Sequence, residues 1–148
     1  MSGETLVLTR VFPGVDPQAM YDAWTRPDLV ADWYGPEGFT NEIHEMDVRP
    51  GGRYHLTMQA PDGSRYPLSG EFRAVEPPHR ISFSWKWENQ PASVGDGTTL
   101  VTVDIRQVGR GTEVTLTHSG FEAAEHRDNH RSGWEPALDK LARTLSGD

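Results

Sequence analysis

His118 is the polar residue whose setting offers the most chemistry. It shares a face of a predicted strand with Val114 and Leu116, so its imidazole should point into the interior. A buried imidazole needs hydrogen-bond partners for its ring nitrogens. Because histidine titrates near neutrality, two interpretations stay open: a hydrogen-bonded core residue, or a polar anchor and general acid or base, assisted by Arg10 or Tyr54. No obvious nucleophile accompanies it.

A second pair, His126 and His130, has the i, i+4 spacing that places two imidazoles on one helix face. The segment between them lacks the glutamate of a metalloprotease helix, and the cationic Arg127 and Arg131 flank the pair. We therefore predict no metal site and no cofactor. His130 is expected to pack or hydrogen-bond near the start of a helix.

The charged residues near a Gly-Gly turn favour structure over chemistry. Asp47 and Arg49 fall on one face, next to Arg53, which predicts a salt bridge or a turn-fixing hydrogen bond. Arg10 is in phase with the apolar residues of the first strand. It is either an inward cation for an acidic ligand group or an edge residue with its head in water.

Several function classes are excluded by composition. The chain has no cysteine, which removes disulfides, thiolate nucleophiles and cysteine-bound zinc. It has no phosphate loop, and Leu68-Ser69-Gly70 lacks the pattern of a nucleophile elbow. The net charge of -8 repels phosphate backbones, so nucleic-acid binding is not expected. We find no signal peptide and no membrane-spanning run, which predicts a cytoplasmic protein.

The 148 residues include five Trp, five Phe and four Tyr, enough to build one substantial core in a single domain spanning residues 1–148. Most of these rings should pack in the core, and some should line a pocket. Trp85 and Trp87 are the better pocket candidates because they approach a polar loop at 88–97. Trp33, Tyr34 and Phe39 surround a Gly/Pro segment that would rim the mouth.

The secondary-structure elements that must position these residues predict an α+β fold. Seven segments alternate with period two or are bounded by Gly/Pro turns, which predicts strands. They are residues 5–12, 40–48, 53–58, 66–75, 80–87, 98–107 and 112–119. Asp16-Pro17 predicts a capped helix to about Thr25, and a second short helix covers residues 28–33.

The last segment changes to helical period, with an apolar stripe. Its members are Trp134, Ala137, Leu138, Leu141, Ala142 and Leu145. Pro136 cannot donate a backbone hydrogen bond, so the helix either begins near Gly133 or starts near Glu122 and is kinked. We favour the long, kinked helix. A wide antiparallel sheet needs a cover on its apolar face, and one helix cannot fill the whole concavity, so a pocket should remain.

An ordered set of short motifs along nearly the whole chain resembles a known family. The motifs are Thr9-Arg10-Val11-Phe12, Ala23-Trp24-Thr25-Arg26-Pro27-Asp28, Trp33-Tyr34-Gly35-Pro36, Asp47-Val48-Arg49-Pro50-Gly51-Gly52, Gly70 before Phe72, Gly111-Thr112, and His130-Arg131-Ser132-Gly133-Trp134 leading to Leu138 and Leu141. They resemble bacterial members of the family of activators of the heat-shock chaperone ATPase. That family lies in the helix-grip superfamily with START lipid-transfer domains, birch-pollen-allergen-type proteins and polyketide cyclases.

The resemblance implies a helix-grip fold, in which a curved antiparallel sheet of six to seven strands surrounds a long C-terminal helix, with two short helices after the first strand. It also implies a binder of a small hydrophobic or aromatic molecule. The alternatives are a cyclase-, aromatase- or hydrolase-like enzyme using the same cavity, and a chaperone-modulating interaction module. A homodimer is compatible with the sequence. No catalytic residue is assigned. The predicted ligand-binding residues are Trp33, Tyr34, Phe39, Tyr54, Leu56, Phe72, Phe83, Trp85, Trp87, Val103, Leu116, His118, Trp134 and Leu138.

Overall fold

The computed structural model describes residues 3–88 and 97–146. Seven strands form one antiparallel sheet. They are β1 Glu4–Phe12, β2 Thr40–Met46, β3 Arg53–Gln59, β4 Arg65–Glu76, β5 Arg80–Trp87, β6 Thr99–Val108 and β7 Gly111–Phe121. Three helices accompany them: α1 Pro17–Thr25, α2 Pro27–Trp33 and α3 Ala124–Ser146.

The strand order is β1-β7-β6-β5-β4-β3-β2, so β2 to β7 form a continuous meander and β1 closes onto β7. In that last pairing Leu6 lies opposite His118 and Leu8 opposite Leu116. The helices α1 and α2 carry the chain from one edge strand, β1, to the other, β2. The helix-grip fold expected from the sequence is confirmed.

Helix α1 begins as its sequence predicts. The Asp16 carboxylate accepts a hydrogen bond from the Ala19 amide at 2.7 Å, and Pro17 occupies the first turn. This cap satisfies an amide that has no partner inside the helix. Helix α2 follows at once, again with proline, Pro27, in its first turn.

Helix α3 runs from Ala124 to Ser146 with Pro136 inside it, so the long form of the helix is confirmed. Pro136 cannot donate to the carbonyl of Ser132. Ser132 is exposed, so water can take the place of the missing donor. None of the described helices has the length and apolar character needed to cross a bilayer.

The core lies between the concave face of the sheet and α3. Trp24, Trp33, Phe83, Leu116 and Leu141 are each almost fully buried in it. The strands place alternate residues on this face, as the period of two predicts. In β6, for example, Val101, Val103 and Ile105 are buried and the residues between them are not.

Two predicted strand ends differ from the structure by two residues. Strand β2 ends at Met46 instead of residue 48, because the Asp47 amide donates to the Arg53 carbonyl and a tight turn starts there. Strand β7 continues to Phe121, two residues beyond the prediction, since β1 and β6 supply partners on both sides. Most of the predicted loop at 88–97 lies outside the described residues.

Candidate functional site

An apolar cavity of about 330 Å³ lies between α3, the segment after α2 and the ends of β3, β4 and β5, and it is open to solvent on one side. Six aromatic rings dominate its walls. The lining residues are Tyr34, Gly35, Pro36, Phe39, Met58, Tyr66, Trp85, Trp87, Asn129, His130, Gly133, Trp134 and Ala137. The volume falls at the lower end of the range of small-molecule sites, about 300–1,000 Å³.

One wall is the segment from Tyr34 to Phe39, and α3 fastens it. The Lys140 ammonium donates to the carbonyls of Pro36 at 3.0 Å and Tyr34 at 3.4 Å. The Arg143 guanidinium donates to both oxygens of the Glu37 carboxylate, at 2.8 and 2.9 Å. Partial burial lowers the pKa of Lys140, and its bonds to the two carbonyls still require only an N–H donor. The segment is thus held at both ends of its turn.

The segment needs glycine at Gly35, whose φ of +86° lies in the left-handed region. A Cβ there would also come within 3.2 Å of both the Met58 sulfur and the Phe39 Cβ. The sharp turn brings Pro36 and Phe39 to the cavity, opposite Trp134 of α3. On the sheet side, the Asn41 amide donates to the Tyr34 carbonyl at 2.9 Å.

The aromatic walls are built from rings that contact one another. Trp85 lies 5.1 Å from Trp134, which joins β5 to α3. Trp87 stands almost perpendicular to Trp85, at 88° and 5.6 Å. Tyr66 is steeply inclined to Trp87, at 80°, and stacks with Phe39 at 6.2 Å. Such edge-to-face and offset pairs stabilise the wall beyond simple area burial.

His130 lines the cavity, with both ring nitrogens in hydrogen bonds. The Trp87 indole, which can only donate, is 3.0 Å from His130 Nε2. Nδ1 therefore carries the proton and donates to the His126 carbonyl at 2.8 Å. Burial lowers the pKa of His130, which agrees with this neutral tautomer.

His118 repeats this arrangement one layer deeper, fully buried. The Trp134 indole donates to His118 Nδ1 at 3.0 Å, so Nε2 carries the proton and faces the Thr99 hydroxyl at 2.7 Å. Thr99 in turn donates to the Trp85 carbonyl at 3.2 Å. Burial, reinforced by nearby His130, holds the pKa of His118 well below its usual range. The two imidazoles lie 4.9 Å apart.

These two histidines predict that folding stability falls with acid. Both pKa values are lowered by folding, so below about pH 6.5 the unfolded chain binds protons that the folded chain excludes. The contribution of the two histidines to the free energy of unfolding is therefore fully present above that pH. Below it, the free energy of unfolding falls by up to about 1.4 kcal/mol per pH unit for each histidine. From pH 7 to 5.5 we expect a loss of about 2 kcal/mol, measured by urea unfolding.

The matched controls for this pH dependence are His130→Gln and His79→Gln. The first removes one of the two buried groups and should reduce the slope. The second changes an exposed histidine and should leave the slope as it is. A stability that stays flat between pH 7 and 5.5 would contradict neutral, buried imidazoles.

Of the predicted ligand-binding residues, five line the cavity: Tyr34, Phe39, Trp85, Trp87 and Trp134. The other nine lie in the core behind it. They are Trp33, Tyr54, Leu56, Phe72, Phe83, Val103, Leu116, His118 and Leu138. Trp33 shows why: its indole donates to the Ala23 carbonyl at 3.0 Å, which turns the ring toward α1 and Trp24.

The polar residues considered for chemistry, Tyr54 and Arg10, make their contacts outside the cavity. The Tyr54 hydroxyl donates to the Ser84 carbonyl at 2.5 Å, and burial raises its pKa well above the usual range. Arg10 pairs with Asp139 of α3 at 2.5 Å and does not line the cavity. The predicted Asp47–Arg49 salt bridge is present, at 2.7 Å. Within residues 3–88 and 97–146, no three His, Asp or Glu side chains converge as a metal centre would require.

Eight lining residues were absent from the predicted set: Gly35, Pro36, Met58, Tyr66, Asn129, His130, Gly133 and Ala137. A signal existed for two of them. Gly133 and Ala137 are small residues one helical turn apart, next to the large Trp134 on the apolar stripe. Small side chains at that spacing leave room between a helix and its neighbour, and the cavity lies there.

A curved seven-stranded antiparallel sheet closed around a long terminal helix, with an apolar cavity between them, defines the START-like, helix-grip class of ligand-binding fold. A family model described as Activator of Hsp90 ATPase homolog 1-like protein matches residues 15–146. The chain therefore belongs to this family, and the resemblance drawn from its motifs is confirmed.

Several solved structures are similar to this chain over nearly its full length. A protein from Chromobacterium violaceum is 26% identical, with a TM-score of 0.87 over 97% of this chain and 98% of that one. The AHSA1 protein from Silicibacter pomeroyi is 27% identical, with a TM-score of 0.83 over the same shares. CalU16 from Micromonospora echinospora, at 24% identity and a TM-score of 0.69, covers 96% of this chain and 76% of that one and shares the fold. Among curated proteins, none matches significantly.

Proposed function

We propose that this protein binds a compact, largely apolar organic molecule in the cavity between α3 and the segment from Tyr34 to Phe39, and that it does so without catalysing a reaction. The observation that carries the proposal is the cavity itself, about 330 Å³, walled by six aromatic rings and open to solvent on one side. Flat apolar walls with few polar groups are typical of sites for small aromatic or hydrophobic molecules.

The size of the cavity argues against a packing defect. Protein cores are packed as densely as organic crystals, and their voids seldom exceed one water molecule. Here the surrounding side chains are held in place instead of collapsing inward. The Trp87–His130 and Trp134–His118 hydrogen bonds fix two of the walls, and Lys140 fixes the third. A space kept open by such bonds suits a ligand that enters and leaves.

Catalysis in the same cavity is the less favoured alternative. An acid–base mechanism needs a titratable group at the site with a free position toward the substrate. His118 lies behind the wall, both nitrogens of His130 are occupied, and the Tyr54 hydroxyl is committed to a backbone carbonyl. These commitments favour binding over a cyclase- or hydrolase-like reaction.

Gly133→Leu should abolish binding while the protein stays folded. An added Cβ at Gly133 meets only the Pro36 ring, at 3.9 Å, so a side chain fits and extends into the cavity. Leucine is also a far better helix former than glycine. We expect wild-type protein to bind probes such as indole and 2-naphthol, seen by ligand-observed NMR. Gly133→Leu should weaken that binding by at least about tenfold, because the volume is filled.

Gly133→Ala is the matched control, since it adds one methyl group and leaves most of the cavity free. It should retain the probes and unfold at a slightly higher temperature. If a panel of apolar and aromatic probes fails to bind the wild type, or binds Gly133→Leu equally well, the cavity is not the binding site.

A further inference from the structure

Among residues 3–88 and 97–146, the cavity lining contains no carboxylate, ammonium or guanidinium group. An anionic ligand would enter it without a counter-ion, and an unpaired buried charge is costly. The imidazole at its wall, His130, is buried and neutral, and its remaining acceptor nitrogen is taken by Trp87. The indole N–H of Trp85 is buried and has no hydrogen-bond partner among the described residues, and as a neutral donor it supplies no positive charge. A carboxylate or phosphate therefore finds no charged partner among the lining residues.

The rings themselves favour the opposite charge. The face of an aromatic ring carries negative electrostatic potential and attracts cations within about 6 Å, with tryptophan the strongest. Three of the six rings are tryptophans: Trp85, Trp87 and Trp134. The chain as a whole has a net charge of -8, which raises the local concentration of cations around it.

The angles between the rings strengthen this preference. Trp85 and Trp87 meet at 88°, Tyr66 and Trp87 at 80°, and Tyr34 and Trp134 at 74°. Rings inclined this steeply turn their faces in different directions, so a group that contacts several of them can meet more than one ring face.

Building on the ligand-binding role proposed above, we propose that the ligand carries a soft organic cation, such as a trialkylammonium group, and that the rings of Tyr66, Trp85, Trp87 and Trp134 hold it as an aromatic cage. A methylated ammonium sheds water more readily than a primary amine and offers an apolar surface that matches the walls. Ring faces and the acidic protein around the cavity stabilise the cation, which needs no ion pair with the described lining residues.

Three probes of nearly identical shape test the charge directly: choline, the neutral 3,3-dimethylbutan-1-ol and the anionic 3,3-dimethylbutanoate. Binding is followed by NMR through the indole N–H signals of the full chain. We expect choline to bind about 2–30-fold more tightly than the alcohol, the range that cation–π contacts provide. The carboxylate should bind more weakly than either.

Variants at Tyr66 separate the effect of its aromatic ring on binding from the effect of the volume that the side chain fills. Tyr66 is partly buried and packs against the core, so modest changes there are tolerated. Tyr66→Leu removes a ring face and should reduce the ratio of choline to alcohol affinity at least about twofold. Tyr66→Phe restores a ring of the same shape and should restore the ratio.

The outcomes distinguish this inference from the ligand-binding role. Equal binding of choline and the alcohol, or tighter binding of the carboxylate, would overturn the cationic ligand and leave a ligand-binding cavity in place. A choline preference that survives Tyr66→Leu unchanged would overturn the cage. If none of these probes binds, and indole and 2-naphthol also fail, both proposals fall together.

Discussion

Replacing His118 with alanine should destabilise the protein by about 3–4 kcal/mol, which would be among the largest losses from a single side chain. The imidazole is fully buried, and its loss leaves the Trp134 indole N–H without its acceptor and the Thr99 oxygen without the donor at His118 Nε2. Each buried polar group left unpaired costs about 1–3 kcal/mol, and the space left behind adds a cavity term. Urea unfolding monitored by fluorescence measures the change.

The control for this variant is His79→Ala, which removes an exposed imidazole and should change stability by no more than about 0.5 kcal/mol. A second readout is the Trp134 indole N–H resonance, which should move when its acceptor nitrogen is removed. A loss below about 1 kcal/mol with an unmoved resonance would mean that the hydrogen-bonded chain through His118 does not form.

Gly70→Ala should be at least as damaging, with an expected loss of more than about 3 kcal/mol or a failure to fold. A Cβ at this position would lie 2.0 Å from the Ser84 carbonyl oxygen and 2.5 Å from the Tyr54 ring. The same carbonyl accepts the hydrogen bond of the Tyr54 hydroxyl. Neither neighbour can retreat, because one is backbone in β5 and the other is buried in the core.

The same substitution elsewhere gives the matched control. Gly133→Ala places its methyl group at an ordinary contact distance of 3.9 Å from the Pro36 ring and removes glycine from a helix, so it should stabilise the protein by about 0.5–1 kcal/mol. Thermal unfolding of the two variants side by side should therefore show shifts of opposite sign. A Gly70→Ala protein as stable as the wild type would require β3, β4 and β5 to be spaced differently.

The fold was predictable because local signals agreed with one another. In β5, Ile81, Phe83 and Trp85 alternate with serines, and the strand has the predicted bounds. Asp16 and Pro17 marked the start of α1, and the cap is observed. These signals are local, since a strand's period or a helix cap is decided by neighbours within a few residues.

The site was less predictable. The alternation of apolar and polar residues shows which face of the sheet a residue occupies, but it does not show how near the residue lies to the cavity along its strand. Leu56 and Met58 share a face of β3, yet only Met58 reaches the cavity, at the end of the strand. His118 and His130 illustrate the same limit. Both point inward and both bond a tryptophan, but only His130 borders the cavity. His118 lies on β7 and His130 on α3, so the packing of the helix against the sheet, which is a long-range property, decides which of them borders the cavity.

The place of β1 in the sheet has a consequence for how the protein is made. In the described sheet its neighbour is β7. Leu6 therefore gains its cross-strand partner, His118, only after β7 has been synthesised. On the ribosome, at about 5–20 residues per second, the first strand emerges several seconds before the strand that completes it. The meander from β2 onward can pair hairpin by hairpin in the meantime. Docking of β1 then becomes a late event, and until it occurs the edge of β7 stays open to strands from other nascent chains.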